Sequence, residues 1–170
     1  SLREEIRNDI LTNAWSEKAG AFAQYYGSDD MDASNLLMAG YGFIEATDER
    51  YIATVLKTKE MLMKNGLMYR YINTDDFGLP KSSFTICTFW MVQALHSIGR
   101  KDEARQMFDD LLSKSNHLGL FSEDIDFESG MLLGNFPQAY SHLALIETAV
   151  LLCGGKLNEE QKILSLLHGD

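Results

Sequence analysis

The sequence predicts an all-α fold built as a helical-hairpin array, on three observations. Apolar residues recur with the 3.6-residue period of a helix in seven segments, 2–14, 33–46, 48–64, 83–98, 101–115, 138–153 and 158–168. Only two prolines occur in 170 residues, Pro80 and Pro137, each in a loop just ahead of an apolar helical stretch; average usage of about 5% would interrupt helices more often. Strand-like alternation is confined to short pieces of loop. A chain of this length buries about 70% of its extended surface on folding, enough for one core.

The segments carry end signals in order. The first helix opens from Ser1-Leu2-Arg3-Glu4-Glu5, a start with neither Met nor a signal-type apolar stretch, so the chain reads as mature, cut or a fragment. Asp32 is placed to N-cap 33–46, and Asp48 to open 48–64 after a break at Thr47. Asn65-Gly66 closes that helix, Gly99 closes 83–98, and Gly154-Gly155 closes 138–153. Segments such as 83–98 are apolar almost all round, whereas 48–64 and 101–115 are amphipathic, which predicts an inner and an outer layer.

Connections from inner to outer segments are short, and those from outer to inner are long, at 15–32, 65–82 and 116–137. Aligning the units gives a repeat of about 50 residues, with Gly66-Leu67-Met68-Tyr69 and Gly119-Leu120-Phe121-Ser122 at the same place in successive units. The long loops then gather at one end of the array, and loops of that length in a compact domain are usually functional.

A net charge of -10 has the wrong sign for neutralising phosphate, so nucleic-acid and anionic-membrane binding are disfavoured. No apolar run reaches the roughly 18 residues that a membrane span needs. Cys87 and Cys153 are too few for a disulfide framework and read as buried free thiols. With no signal in view, they point to the cytoplasm.

The richest loop, 116–137, sets Glu123, Asp124, Asp126 and Glu128 among large apolar residues. Desolvation there suits a carboxyl for acid or base work, and the plain alternative is solvated or turn-capping acids. Asp124, Asp126 and Glu128 alternate like calcium ligands, but the glycine comes one place late, at Gly130, and the distal bidentate acid is missing. His96, His117, His142 and His168 lack zinc-ligand spacing, and neither a phosphate loop nor a nucleophile elbow occurs. No metal and no cofactor is expected. In the second loop Arg70 stands between Tyr69 and Tyr71, suited either to a hydroxylated ligand or to pairing with Asp75 or Asp76. Trp15, Tyr25, Tyr26, Phe84, Trp90 and Tyr140 gather in or beside the same loops, most of them as core and one or two as pocket lining.

Several segments carry a family resemblance: Gly20-Ala21-Phe22-Ala23-Gln24, Asp32-Ala33-Ser34, Gly66-Leu67-Met68-Tyr69-Arg70-Tyr71, Cys87-Thr88-Phe89-Trp90, Leu120-Phe121-Ser122-Glu123-Asp124-Ile125-Asp126, and Leu133-Gly134-Asn135-Phe136-Pro137-Gln138-Ala139-Tyr140-Ser141-His142-Leu143. Together they resemble the C-terminal half of the catalytic domain of glycoside hydrolase family 15, the glucoamylase, glucodextranase and trehalase family. The resemblance implies that residues 1–170 are one segment, about half of an (α/α)6 toroid. It implies an exo-acting, inverting α-glucosidase, glucoamylase-like or alternatively a trehalase, acting on a glucose-terminated glucan or disaccharide. Inversion needs two carboxyl groups roughly 6.5–9.5 Å apart. Glu123 matches the family's general base, Arg70 an arginine that holds glucose hydroxyls, Phe84 a nearby aromatic, Asp32 a position at the rim, and Tyr140 a substrate-binding position.

Two departures stand out. Leu79-Pro80-Lys81-Ser82-Ser83 replaces a Gly-Glu-Gly-like stretch, and the general acid has no counterpart in these residues. The resemblance therefore implies an inactive fragment with a missing N-terminal half, or one that self-associates through exposed inner helices such as 83–98 and 138–153. A non-catalytic helical-repeat binding module is the reading from another class.

Overall fold

In the computed structural model, which describes residues 1–154 apart from Asp75 and Phe77, the fold is organised around one helix, Thr85–Ser97 (α3). Ten of its residues, from Thr85 to Leu95, are buried on all sides of the cylinder, as its all-round apolarity requires. The other helices are Leu2–Asn13 (α1), Glu49–Leu62 (α2), Lys101–Leu112 (α4) and Ala139–Leu152 (α5). α2, α4, α5 and a short 3₁₀ turn at Ala33–Leu37 all pack on α3.

The outer helices bury one stripe each. In α2 it is Tyr51, Thr54, Val55, Thr58 and Leu62, and in α4 it is Ala104, Met107, Phe108 and Leu111, spacings that follow the helical period. Asp48 accepts from the Arg50 amide at 2.8 Å and so caps α2 as the sequence indicates. Phe89 of α3 meets Phe108 of α4 and Phe121 edge-on, at centroid distances of 6.2 and 5.5 Å.

Three expectations change. The helix expected over 33–46 is only the 3₁₀ turn, because Gly40 and Gly42 each cost about 1 kcal/mol in a helix interior and Gly42 takes φ +67° to turn the chain back. Of the two inner helices expected to be exposed, α3 is instead buried, because α2, α4, α5 and the 3₁₀ turn cover it; α5 does show the expected exposure, with only Ser141, Ala144 and Thr148 buried and Leu143 and Ile146 more than half exposed. Cys87 is buried as expected, but Cys153, at the end of α5, is exposed. The expected segment 158–168 lies outside the described residues.

The long loops contain small antiparallel ladders of two-residue strands: Trp15–Ser16 (β1) with Ala21–Phe22 (β2), Met63–Lys64 (β3) with Leu67–Met68 (β4), and Ser83–Phe84 (β5), Asp124–Ile125 (β6) and Leu132–Leu133 (β7) in the order β5-β6-β7. Asn65-Gly66, both at positive φ, form the two-residue turn of the β3–β4 hairpin. Among the described residues no helix is long and apolar enough to cross a membrane.

Phe89→Ala is expected to destabilise the chain by about 3–5 kcal/mol in urea titration, whereas Leu143→Ala on the uncovered side of α5 should change stability by less than about 0.5 kcal/mol.

Candidate functional site

The repeat read from the sequence is a repeat of mounting. Gly20, Gly66 and Gly119, all at positive φ, each begin an extended segment that enters the core. Two residues on, the amide donates to a side chain of a helix: Phe22 to Thr54 Oγ1 at 2.9 Å, Met68 to Thr88 Oγ1 at 3.1 Å, and Phe121 to His142 Nε2 at 3.2 Å. Four residues on, in the second and third units, the backbone carbonyl receives the first amide of the helical segment two before it: Arg70 O from Ala33 N, and Glu123 O from Thr85 N, both at 2.9 Å. An orphan amide at each helix start is thereby satisfied. Arg70 and Glu123 thus occupy equivalent places, and their side chains reach one cleft of about 840 Å³.

That cleft is also lined by Tyr71, Leu79, Pro80, Ser82, Phe84 and Asp124. Phe84 and Asp124 are cross-strand partners in the β5–β6 ladder, so they stand on the same face. On one wall, Arg70 Nε donates to Asp32 Oδ1 at 2.7 Å, and its guanidinium carbon lies 5.8 Å from the centre of the Trp90 ring. Burial pulls the Arg70 pKa down, but the Asp32 carboxylate outweighs it and the net direction is up. Asp32 has two tasks, because the same Oδ1 also accepts from the Ser34 amide at 2.7 Å. Of the two aspartates that the sequence offers as alternative partners for Arg70, Asp75 is outside the described residues; the ion pair seen is with Asp32. Beneath the wall, burial pushes the Cys87 thiol far up, which leaves it protonated and unreactive.

Elsewhere in the lining, Asp124 Oδ2 accepts from Ser82 Oγ at 2.5 Å. Desolvation raises the Asp124 pKa, the Ser82 hydroxyl opposes this, and the neighbouring Glu123 charge adds to the rise. Glu123 Oε2 accepts from the Asn135 amide at 3.2 Å and from Asn135 Nδ2 at 2.8 Å. The segment is anchored below by Ser141 Oγ, which donates to Ser122 O at 2.9 Å. His142 Nδ1 lies 2.7 Å from Gln138 O, which can only accept. With the Phe121 amide donating to Nε2, the ring is the neutral Nδ1–H tautomer.

The structure brings Arg70, Phe84 and Glu123 to one cleft and joins Asp32 to it through Arg70. Tyr140 adjoins Arg70: its ring is edge-on to Trp90 at 6.3 Å, and it is near enough to contribute to the electrostatics of the Arg70 guanidinium. Ser82 and Asn135 are not legible as site residues from spacing, since their roles arise from pairing across 42 and 12 residues. The alternating acids do not converge: Asp126 accepts from the Ser129 amide and hydroxyl at 2.8 and 2.6 Å, and Glu128 pairs with Lys64 at 2.8 Å.

Solved glycosidases share this fold. One, a wild-type glycosidase, superposes with a TM-score of 0.75 at 17% identity, over 89% of this chain and 43% of its own. A glycosidase variant in complex with glucose gives 0.74 at 14%, over 89% and 43%. The model of glycosyl hydrolases family 15 matches residues 1–150, and the chain belongs to that family. A trehalase of Thermoplasma acidophilum is 42% identical over 164 residues, 95% of this chain and 28% of the relative. A trehalase of Mycolicibacterium smegmatis is 42% identical over 153 residues, 88% of this chain and 23% of the relative. The chain thus spans under a third of the length of these relatives.

Because the Asp124 pKa is raised in the folded state, the folded chain binds more protons than the unfolded one above the ordinary carboxylate range, and its stability falls as pH rises through that window. Asp124→Asn should therefore raise the urea midpoint at pH 7. The gain should vanish once the pH falls below the ordinary aspartate range.

Proposed function

We propose that this segment supplies the general base and one side of the glucose pocket of an inverting trehalase. The observation that carries the reading is the pairing of Glu123 and Arg70 at equivalent mounts on a single cleft. Of the two specificities that the sequence resemblance implies, the relatives favour trehalase over a glucoamylase-like enzyme, since those at about 40% identity are trehalases.

In this reading, Arg70, fixed by Asp32 and backed by Trp90, presents forked donors to the hydroxyls of one glucose, with Phe84 against its apolar face. Glu123 accepts a proton from water as that water attacks the anomeric carbon. The C–O bond to the leaving glucose breaks on the opposite face, and a general acid protonates the leaving oxygen. Asp124 does not take the acid role, because it is adjacent to Glu123 in the chain and its carboxylate is engaged by Ser82. The acid is supplied by chain beyond this segment. The apolar side of α5, uncovered among the described residues, supports this, as a face that further hairpins of an (α/α)6 toroid would cover. The two free thiols support a reducing, cytoplasmic setting.

The isolated 170-residue chain should not turn over trehalose or maltose; a kcat/KM near 10⁴ M⁻¹s⁻¹, the low end for ordinary enzymes, would contradict the missing acid. In the full-length enzyme that carries this segment, Glu123→Gln should lower kcat on trehalose by about 10²–10⁴ while glucose binding is retained. Wild-type turnover by that variant would remove Glu123 from the role of base.

A further inference from the structure

We propose that Asn135 is a positioning residue for Glu123, fixing which carboxylate oxygen faces the cleft. The inference rests on the reading of Glu123 as general base, but the geometry behind it is independent. The two residues exchange three hydrogen bonds: Asn135 N and Nδ2 both donate to Oε2, and the Glu123 amide donates to Asn135 O at 2.9 Å. Both donors fall on one oxygen, and among the described residues no group donates to Oε1. Oε1 is therefore the oxygen left to accept a proton from water.

The glycine before Asn135 makes the arrangement specific. Asp124 pairs with Leu133, so the β6–β7 register sets Gly134 opposite Glu123; the next bond skips to Asn135, with Gly134 bulged at φ +74°. A Cβ at position 134 would lie 2.9 Å from Glu123 Oε2 and 3.1 Å from Glu123 Cβ, so a larger residue would displace the carboxylate. The bulge both makes room for the Glu123 side chain and turns the Asn135 amide and carboxamide onto one oxygen. A general base has to reach its water within hydrogen-bond distance, and a displacement of about 1 Å can cost 10²-fold in rate.

The test uses the full-length enzyme that carries this segment, with kcat and KM for trehalose and the Kd for glucose measured separately. Asn135→Ala is expected to lower kcat about 10- to 100-fold, with KM within about threefold and glucose affinity unchanged. Asn135→Asp keeps the shape but replaces the donor by an acceptor, so it should lose at least as much; a purely structural role would tolerate it. If Asn135→Ala fails to fold, the isosteric Asn135→Asp decides. Wild-type kcat in Asn135→Asp, or a loss confined to KM and glucose binding, would overturn the positioning role. Wild-type turnover in Glu123→Gln would instead sink the base assignment itself, and the two failures are told apart by which variant stays active.

Discussion

Much of the structure depends on the hydrogen bond from the Thr85 amide to the Glu123 carbonyl. α3 is apolar nearly all round and its first eight residues are all buried, so its N-terminus has no water to satisfy its leading amides. The chain meets that need with a carbonyl 38 positions later in sequence, just ahead of β6, and that carbonyl belongs to a residue that lines the cleft. Burying the central helix and aiming Glu123 are one act. The same bond pattern, with Ala33 and Arg70, sets a second lining residue of the cleft.

This coupling explains why a site carried by loops can be rigid. Loops of the length of 65–82 and 116–137 would ordinarily wander. Here each is stapled at two points, through an amide to a helix side chain and through a carbonyl to a helix start, with ladders of two-residue strands between. The polar groups used are short and buried: Thr88, Ser83, Ser122 and Ser141 are fully shielded. A buried donor left without its acceptor costs about 1–3 kcal/mol, so each staple is specified as well as stabilising. What remains adjustable is the outer layer of side chains, where substrate selectivity would be set.

The sequence made the helices legible where packing agreed with period. α2, α4 and α3 follow from their apolar spacing, and Asp48 from its capping position. It misled at 33–46, where the apolar run of Leu36, Leu37 and Met38 looked helical but Gly40 and Gly42 ended it after one turn. It also misled at α3, whose apolar surface was expected to be exposed in a half array but is covered within this segment, whereas α5 is exposed as expected. Glu123 and Arg70 were reachable through motif resemblance, and their matching places in the repeat hinted at a shared mount. Asn135, Ser82 and the Asp32–Arg70 pair were not, because each depends on a register or a turn that brings distant residues within 3 Å, and no local pattern encodes that.

Amide hydrogen exchange measured by NMR on the 170-residue chain tests the central claim most directly, namely that the site is stapled into the core of α3. The amides of Ala33, Met68, Thr85, Phe121 and Glu123 should exchange as slowly as those in the middle of α3, through the same cooperative opening. Exchange of Thr85 and Glu123 at the fast rate of exposed loop positions such as Thr74, while the α3 interior stays protected, would show that the cleft is not built on the core and would contradict the account.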